Sequence, residues 1–564
     1  MKKQTLPLII FFGFFLNLHL LFGQTPGWNW AKCGVGESQD YGYATATDVF
    51  GNVYVTGEFY SSPFFIGAIG MTNAGYSDIF IAKYDSLGTV QWAKCVGGSS
   101  YEYGYGITTD NLGNVYITGA FESPSITFGS TTLTNANKSG GTDDLFIAKY
   151  NSSGNLIWAR STGNSGSEFG TSITADIQGN TYIAGYFNSP VITFSDIILT
   201  NADNTGSTND IFIVKYNSSG NVVWADKAGG LDDDYGNSVA TDMSGNIFIT
   251  GYFTSTSIRF GIATLSNTGY DDVFLTKYNS TGTVQWAKSA IGDYVDKNTS
   301  VATDTSGNAY ISGVFKSSMI SFGGYLLANT GSSHGNIFLT KYNSAGSVQW
   351  TKSVGDVGEA QNNYVSAIAA DKSGDVYVTG WFFNPSVTIG NTTITNTDNT
   401  GQYNDVFITK YNSLGNSVWA KKIGEETYDY ITGITVDTSG HVFVTGYYDS
   451  ALLFFGTAIL TNSGYQDFYL ARLDNDLTKG LNETLAEEET TIAVFPNPVL
   501  NDVTLKYPVG ITHIQIFTIQ GRLIKSHKAK DEKSCFNVSE LPAGVYILQL
   551  SSNKKSEYVK MIKG

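Results

Sequence analysis

The sequence predicts an all-β fold, and a repeated segment together with the composition carries that prediction. A segment of about 65 residues occurs seven times, and each copy contains two apolar runs, such as Val53-Tyr-Val55 and Ile79-Phe-Ile81. The glycine that closes the first run marks the register of the copies: Gly57, Gly119, Gly185, Gly251, Gly313, Gly380 and Gly446. With 63 Gly, only 10 Pro and 14% aromatic residues, we expect strands joined by glycine turns and almost no helix. Repetition of this kind indicates a solenoid, a propeller or an array.

The tryptophan that ends each copy indicates a closed ring. The seventh copy stops at Leu473 without one, whereas the other six carry it at Trp92, Trp158, Trp224, Trp286, Trp350 and Trp419. Residues 28–33 have the same Trp-Ala-Lys signature and stand before the first copy. A ring in which this N-terminal strand completes the last unit explains both facts. Because the strand runs are apolar throughout, both of their faces need cover, which neighbouring blades supply. The sequence therefore predicts a seven-bladed β-propeller of four-stranded blades.

Within each copy we expect an inner, a second, a third and an outer strand. Tight turns join the inner to the second strand and the third to the outer strand, as in residues 110–114 and 151–155. Each begins with an Asp or Asn that is expected to cap the turn, and has Gly near its end. The other two connections are longer and vary in length. In an antiparallel blade they lie on one face, so this loop rim should display any ligand-binding loops.

The two ends of the chain differ from the repeats. Two lysines followed by an apolar stretch predict a secretory signal peptide over residues 1–23, and we expect no membrane span in the mature chain. The propeller is expected over residues 24–473, an acidic linker over 474–491, and a small β-sandwich-like domain over 492–564. Residues 24–473 hold 20 Lys and Arg against 38 Asp and Glu, which argues against nucleic acid as a ligand.

Two family resemblances follow from these motifs. The core Asp-Xaa-Xaa-Gly-Asn-Val-Tyr-Val-Thr-Gly, found at residues 48–57, resembles the β-propeller repeat of secreted bacterial proteins, and the likeness covers nearly all of residues 25–473. The last domain resembles the type A sorting domain of the type IX secretion system of Bacteroidota. The residues that carry this second resemblance are Pro496-Asn-Pro498, Gly521, Leu541-Pro-Ala-Gly544-Val-Tyr546 and the Lys-rich end. It implies that the type IX machinery recognises residues 492–564 and that the protein is secreted or attached to the outer cell surface. Neither resemblance implies a chemical activity.

No catalytic or metal-binding motif is found in the sequence. It lacks a Gly-Xaa-Ser-Xaa-Gly elbow, a His-Glu-Xaa-Xaa-His pair and a phosphate-binding loop. His334 and His441 are the only histidines between residues 24 and 473, and neither has metal-ligand spacing around it. Cys33 and Cys95 occupy equivalent places in neighbouring copies and are expected to be buried apolar thiols. The sequence therefore predicts a protein that is not an enzyme.

One repeated constellation is a candidate ligand site. Eight residues before the Asp of each inner-to-second turn stands an acid in six copies and Asn363 in the remaining one. The acids are Asp40, Glu102, Glu168, Asp234, Asp296 and Asp429, and tyrosines follow at Tyr41, Tyr103, Tyr235 and Tyr430. On the loop rim these groups would form a ring around the mouth of the central channel of the propeller. Carboxylate oxygens there would suit Ca²⁺, and the tyrosine rings would suit a sugar. The alternative is structural: each acid accepts backbone amides or pairs with an outer-strand base such as Lys94, Arg160 or Lys288, and each ring packs between blades.

These observations predict a secreted or cell-surface, monomeric protein that binds or displays a carbohydrate or protein ligand. The first alternative is a polysaccharide-active enzyme that uses two rim carboxylates as general acid and base. The second is a purely structural surface or adhesion element without a small ligand. A deep rim cleft with two close carboxylates would favour the enzyme, whereas a shallow uniform ring would favour binding.

Overall fold

The structure is a computed structural model. It describes residues 26–329, 334–355, 363–398 and 400–474, and then residues 493–495, 499, 501–506, 511–518, 522–529, 533–542, 544–552 and 556–563. The predicted signal peptide, nearly all of the predicted linker, and the motif residues 496–498 and 521 lie outside the described residues. Every regular element in the described part is a β-strand, which confirms the all-β prediction. That part has no helix long and apolar enough to cross a membrane. The chain divides into two compact units at a boundary within the predicted linker 474–491.

The first compact unit contains seven four-stranded sheets, here called units 1 to 7 in chain order, and two of them are extended to six strands by a further hairpin. Their inner strands are Asp40–Thr47, Glu102–Thr109, Glu168–Ala175, Asp234–Thr241, Asp296–Thr303, Asn363–Ala370 and Asp429–Val436. Their second strands are Val53–Phe59, Val115–Phe121, Thr181–Phe187, Ile247–Phe253, Ala309–Phe315, Val376–Phe382 and Val442–Tyr448. Their third strands are Asp78–Tyr84, Asp144–Tyr150, Asp210–Tyr216, Asp272–Tyr278, Asn336–Tyr342, Asp405–Tyr411 and Asp467–Asp474. The outer strands of units 1 to 6 are Val90–Val96, Leu156–Thr162, Val222–Ala228, Val284–Ile291, Val348–Ser353 and Ser417–Ile423.

The sheets form a closed ring, and the N-terminal strand completes it. Each inner strand contacts the inner strands of both neighbouring units, and the inner strand of unit 7 contacts that of unit 1. The outer strand of unit 7 is Gly27–Val35, which pairs antiparallel with Asp467–Asp474 so that Trp28 faces Leu473. This pairing confirms the predicted partner of the Trp-Ala-Lys segment that stands before the repeats. A ring of radially arranged sheets is a β-propeller.

The hydrophobic core lies between neighbouring sheets. Tyr54 and Ile79 of unit 1, for example, share one buried cluster with Ile117 and Phe121 of unit 2. The third strand Asp78–Tyr84 is buried at every position, because each of its faces packs against a different neighbour. This packing explains why the strand runs of the sequence are apolar throughout rather than alternating.

A latch of repeated residues joins each unit to the next at the rim of tight turns. In unit 1 the indole N–H of Trp92 and the ammonium group of Lys83 both donate to the carbonyl oxygen of Ser152 in unit 2, each at 3.1 Å. The hydroxyl of Tyr54 donates to the carboxylate of Asp48 at 3.0 Å. The same carboxylate accepts two backbone amides of its own turn, which confirms that this aspartate caps the turn.

The last two junctions modify this latch. Trp30 donates to the carbonyl oxygen of Ser86 in unit 1 at 3.1 Å, and Arg472 takes the place of the lysine and donates to the same oxygen at 2.6 Å. Trp419 faces unit 7, which has no third-to-outer turn because its outer strand comes from the other end of the chain. Its buried indole N–H accordingly has no hydrogen-bond partner among the described residues.

Each long connection between the second and third strands contains an additional hairpin that the sequence analysis treated as loop. The hairpins are Phe64–Ile66 with Ile69–Met71, Ser125–Phe128 with Thr131–Thr134, Val191–Phe194 with Ile197–Thr200, Ser257–Phe260 with Ala263–Ser266, Met319–Phe322 with Tyr325–Ala328, Ser386–Ile389 with Thr392–Thr395, and Leu452–Phe455 with Ala458–Thr461. A Phe-Gly pair stands at the turn of four of these hairpins, as at Phe128-Gly129, where φ of Gly129 is +55°. In two units the hairpin extends the preceding sheet, for example through the pair Ala290↔Phe322. These hairpins cover outer edges that would otherwise be open to pairing with another chain.

The second compact unit contains two sheets. Ala493–Phe495, Asp502–Lys506 and Lys533–Asn537 form one, and Leu523–Lys528, Ile511–Thr518, Gly544–Ser552 and Ser556–Lys563 form the other in that spatial order. Val503 and Leu505 of the first sheet share a buried cluster with Ile516 and Leu548 of the second. Ile511–Thr518 and Leu523–Lys528 pair as an antiparallel hairpin.

Candidate ligand-binding rim

The six predicted acids occupy the first position of the inner strands. The sequence analysis placed them in the long connections that precede these strands. Each is completely buried, with 0% of its surface exposed. They are Asp40, Glu102, Glu168, Asp234, Asp296 and Asp429. In unit 6 the equivalent Asn363 is 1% exposed. The carboxylates therefore face the protein interior.

Each of these acids binds the serine that follows it by 21 residues, at the start of the next long connection. The Ser61 hydroxyl donates to Asp40 at 2.7 Å, and the equivalent distances in units 4, 5 and 7 are 2.8, 2.6 and 3.0 Å. Several acids also accept a backbone amide from the preceding connection, as when Gly98 donates to Glu102 at 2.8 Å. Unit 6 replaces both partners at once, with Asn363 and Asn384. Each acid thus forms hydrogen bonds near the long connection that precedes its inner strand or the one that follows its second strand, and these connections form the loop rim.

Burial changes the acidity of these groups. It raises the pKa of Asp40, Glu102, Asp234 and Asp429 to about 7, although the serine and amide hydrogen bonds oppose the shift. Burial raises the pKa of Glu168 to about 8. A carboxyl group without water favours its neutral form, so these acids hold protons more strongly than exposed ones do.

The structural alternative predicted that these acids accept backbone amides, and this is confirmed. Its other prediction, that they pair with outer-strand bases, is wrong. None of the six acids has an ion pair among the described residues. Two outer-strand lysines pair instead with an acid at the first position of the third strand: Lys227 with Asp210 at 3.1 Å and Lys422 with Asp405 at 2.8 Å. The ligand-binding role of the six acids stays a prediction, and their contacts describe how the rim is positioned.

The histidines and cysteines of the propeller were examined in the sequence as possible metal ligands and buried thiols. The described residues contain no group of three or more His, Cys, Asp and Glu that could hold a metal ion. His441 ends the turn that Asp437 caps, and its Nδ1 lies 2.7 Å from the Asp437 carboxylate. Cys33 and Cys95 are free thiols, and both are half-buried rather than fully buried as predicted.

The predicted tyrosines lie between blades, as the structural alternative expected. The ring of Tyr41 contacts that of Tyr447 in unit 7 with 4.6 Å between centroids, and Tyr430 contacts Trp381 in unit 6 at 5.4 Å. Tyr235 contacts Tyr186 in unit 3 at 4.9 Å. All of these rings are partly exposed, so they contribute to the surface of the loop rim as well as to packing.

A continuous chain of aromatic contacts crosses four units on the loop rim, and we call it the aromatic rim. It begins at Tyr76, which is 62% exposed and stacks on Tyr101 with 4.9 Å between centroids and 12° between planes. Its members are Tyr76, Tyr101, Tyr103, Tyr105, Tyr43, Tyr41, Tyr60, Tyr447, Tyr430, Tyr428, Tyr403, Trp381, Tyr364 and Phe383. They belong to units 6, 7, 1 and 2. Unit 5 contributes no ring to this chain among its described residues.

The aromatic rim surrounds a carboxyl group that the repeat analysis did not single out. Glu58 occupies the sixth position of the second strand, where the other units have Ala, Tyr, Val or Trp. It is only 3% exposed, accepts a hydrogen bond from the Ser77 hydroxyl at 3.1 Å, and is bonded to the hydroxyl of Tyr43. Burial raises the pKa of Glu58 to about 7. Comparing single copies with the consensus would have revealed this residue.

At the junction of units 4 and 5 the loop rim holds a cation of the chain itself. The ammonium group of Lys297 lies 4.3 Å from the centre of the Tyr252 ring and 3.3 Å from the carboxylate of Asp271. In the repeat register Lys297 corresponds to Tyr103, and Tyr252 corresponds to Glu58. An aromatic ring and a carboxylate at a blade junction thus hold an ammonium group in this protein.

Comparison with protein families agrees with this architecture. Residues 493–564 match the model of the secretion system C-terminal sorting domain, and residues 91–120 and 223–257 match the β-propeller repeat. The chain therefore carries β-propeller repeats and a type IX sorting domain. A sorting domain of this type directs export, followed by secretion or attachment to the cell surface.

Individual relatives are distant. The chain is 24% identical over 482 residues to the uncharacterized WD repeat-containing protein L264 of Acanthamoeba polyphaga mimivirus. The aligned region covers 72% of this chain and 34% of that protein. It is 24% identical over 290 residues to the regulatory protein FlaEY of Caulobacter vibrioides, covering 49% of this chain and 30% of that protein. The chain thus spans about a third of the length of these curated relatives. The β-propeller domain of the Trilobed protease from Pyrococcus furiosus is a similar solved structure, with 10% identity, a TM-score of 0.37, and coverage of 76% and 99%.

Proposed function

We propose that this protein is a secreted or surface-attached, non-enzymatic seven-bladed propeller that binds a carbohydrate chain on its aromatic rim. Export through the type IX system, with residues 492–564 as the sorting domain, brings the propeller to the cell exterior, where polysaccharides are available. The mature protein acts as a monomer in this proposal, because one ring presents the whole rim.

The continuity of the aromatic rim is the observation that supports this proposal. Sugar rings present apolar faces that stack on aromatic side chains, and a row of rings suits a chain of sugars better than a single one. The rings of Tyr101, Tyr103 and Tyr105 follow one another with centroid distances of 6.5 and 5.3 Å and with 4° between adjacent planes. The buried acid and serine pairs below hold the connections that carry these rings.

The position of the acids supports binding rather than hydrolysis. A glycoside hydrolase places two carboxyl groups on either side of the scissile bond. Here the repeated acids are completely buried, and each is engaged by a serine or by backbone amides of its own unit.

Screening the full chain on a glycan array, followed by calorimetry with the best oligosaccharide, tests the proposal. We expect Tyr76→Ala to weaken binding about tenfold, because one stacked ring contributes roughly 0.5–1.5 kcal/mol beyond its buried area. Tyr325→Ala is the matched control, since Tyr325 is 47% exposed but lies on the outer hairpin of unit 5. Equal affinity of both variants, or no glycan bound by the native protein, would overturn the proposal.

A further inference from the structure

We infer that the junction of units 4 and 5 is a second carbohydrate site, in which Tyr270 and Tyr294 hold a neutral sugar. This inference rests on the proposed function and deepens it, since two separate sites on one rim make the protein bivalent. The feature that points to it is a pair of exposed tyrosines that lies outside the aromatic rim.

The two tyrosines form one exposed surface on the loop rim. Their ring centroids lie 5.3 Å apart, with 77° between the planes. Tyr270 is 63% exposed and Tyr294 is 48% exposed, so each ring has area free for a ligand. Rings in this T-shaped arrangement form a corner, in which a sugar can stack on one ring while its edge meets the other.

Hydrogen bonds of the main chain hold this pair in place. The amide of Tyr270 donates to the carbonyl oxygen of Tyr294 at 3.2 Å, and the amide of Tyr294 donates to the Ser317 hydroxyl at 2.8 Å. The side chain of Asn267 donates to the carbonyl oxygen of Tyr270 at 3.0 Å. Because the backbone that carries both rings is fixed before binding, a ligand loses little affinity to ordering the site.

The aromatic rim begins with a pair of the same construction. Tyr270 stands two residues before the third strand of its unit, as Tyr76 does in unit 1. Each of them contacts a tyrosine that comes just before the inner strand of the next unit. That partner is Tyr101 beside Tyr76 and Tyr294 beside Tyr270. The junction of units 4 and 5 therefore repeats the exposed end of the rim that we propose as the carbohydrate site.

The pair is separate from the aromatic rim. No ring contact among the described residues joins Tyr270 or Tyr294 to a member of the rim. The position of Tyr270 holds Thr208 in unit 3 and His334 in unit 5, so neither flanking junction repeats the tyrosine. The two pairs lie three units apart in a ring of seven, on nearly opposite sides of it. A short oligosaccharide therefore binds one pair or the other, whereas a surface coated with sugars can engage both.

Charge at this junction favours a neutral sugar. The exposed Asp293, which precedes Tyr294, accepts hydrogen bonds from the backbone amide and the hydroxyl of Ser318 at 2.9 and 2.8 Å. Its carboxylate retains lone pairs for the hydroxyl groups of a sugar and would repel a carboxylate or sulfate group. Lys297, three residues after Tyr294, is already paired with Asp271 at 3.3 Å.

Calorimetry of the full chain with cellotetraose counts the sites, because the equatorial bonds of this glucose tetrasaccharide leave apolar faces for stacking. We expect two molecules to bind per native chain, and one per chain when Tyr270→Ala and Tyr294→Ala are combined. Tyr465→Ala is the matched control. Tyr465 is 70% exposed at the same position of the repeat but contacts no ring among the described residues, so two molecules should still bind.

A surface densely coated with cellotetraose tests whether the two sites act together. The native protein should dissociate from it at least about a hundredfold more slowly than the double variant, because one occupied site keeps the other close to the sugars. Equal dissociation rates of the two proteins would overturn the inference.

The outcomes separate the two proposals. One cellotetraose per native chain, or two per chain of the double variant, overturns this inference and leaves carbohydrate binding on the aromatic rim in place. A native chain that does not bind cellotetraose also overturns it, and the proposed function fails as well only if the array finds no other glycan. Melting temperatures show whether a variant that loses a site has also lost its fold.

Discussion

The indole N–H of Trp30 donates a hydrogen bond of 3.1 Å to the backbone carbonyl oxygen of Ser86, which lies 56 residues further along the chain. Five other junctions have the same bond, formed by Trp92, Trp158, Trp224, Trp286 and Trp350. Trp30 is the only one of these donors that precedes the repeats in the sequence. It belongs to the strand that closes the ring, so the last junction is fastened by the same chemistry as the others.

Trp30→Ala is therefore expected to destabilise the propeller by about 3–5 kcal/mol, because it removes a buried ring as well as the latch at the closing strand. Urea unfolding followed by tryptophan fluorescence measures this, since all nine tryptophans lie before residue 474. Val35→Ala, at a 38% exposed position of the same strand, is the control and should cost little. An unchanged free energy of unfolding for Trp30→Ala would refute closure by this strand.

Tyr116→Phe tests the latch within the ring. The hydroxyl of Tyr116 is buried between the Asp110 carboxylate at 3.0 Å and the Gly179 carbonyl oxygen at 3.1 Å in the next unit. Removing it should cost about 1–3 kcal/mol, since it takes away a buried hydrogen bond to a carboxylate and the contact with the next unit. Tyr84→Phe is the matched control, because the buried Tyr84 hydroxyl has no hydrogen-bond partner among the described residues. We expect that variant to be as stable as the native protein, and equal losses in both would contradict the interpretation.

The buried acids predict how stability depends on pH. The folded-state pKa is about 7 for Asp40, Glu102, Asp234 and Asp429 and about 8 for Glu168, above the ordinary values of 3.8 and 4.5. The folded chain therefore binds more protons than the unfolded chain between these limits. The stability contributed by these groups is complete below the ordinary values and is lost as the pH rises through about 7 to 8. Urea unfolding at pH 5 and pH 8 should show the lower free energy of unfolding at pH 8.

Glu168→Gln provides the control for this pH dependence. The amide keeps an acceptor for the Ser189 hydroxyl but does not titrate, so the loss of stability between pH 5 and pH 8 should be smaller than in the native protein. A stability that rises over this interval, or a slope unaffected by the substitution, would show that these acids are not the titrating groups.

Removal of residues 493–564 is expected to abolish export, because this segment matches the sorting domain. The truncated protein should be retained inside the cell envelope, which fractionation and protease treatment of intact cells can measure. Leu523→Ser, at a 48% exposed position of the same domain, should be exported normally. Arrival of the truncated protein in the medium or on the cell surface would refute the assignment.

Features that recur in every copy could be predicted from the sequence. The regular glycines and tryptophans set the register of the sheets, and the additional Trp-Ala-Lys at residues 30–32 was enough to place the closing strand. The additional hairpins were missed because strands of three or four residues, such as Phe64–Ile66, are too short to show a pattern. The Phe-Gly pairs at four of their turns do not indicate a hairpin by themselves.

The candidate site was harder to predict because burial depends on contacts far apart in the sequence. The sequence predicts that Asp40 lies in an open ring of acids. In the structure Asp40 is buried and binds Ser61, which lies 21 residues further along the chain. The paired change to Asn363 and Asn384 in one copy was the signal that could have revealed this contact. The aromatic rim escaped notice for the opposite reason. Its rings occupy different positions in different copies, so a search for repeated residues does not collect them.

Closure by the N-terminal strand has a consequence for folding. Asn29 binds the carboxylate of Asp474 across 445 residues of sequence, so the seam can form only after the chain ends have met. Until then the edge of strand Asp467–Asp474 is free to accept a strand, and the nearest competitor at high concentration is the same N-terminal segment of another molecule. We therefore expect that any exchange of strands between two chains during refolding at high protein concentration occurs at this seam, and that rapid dilution favours the correctly closed ring.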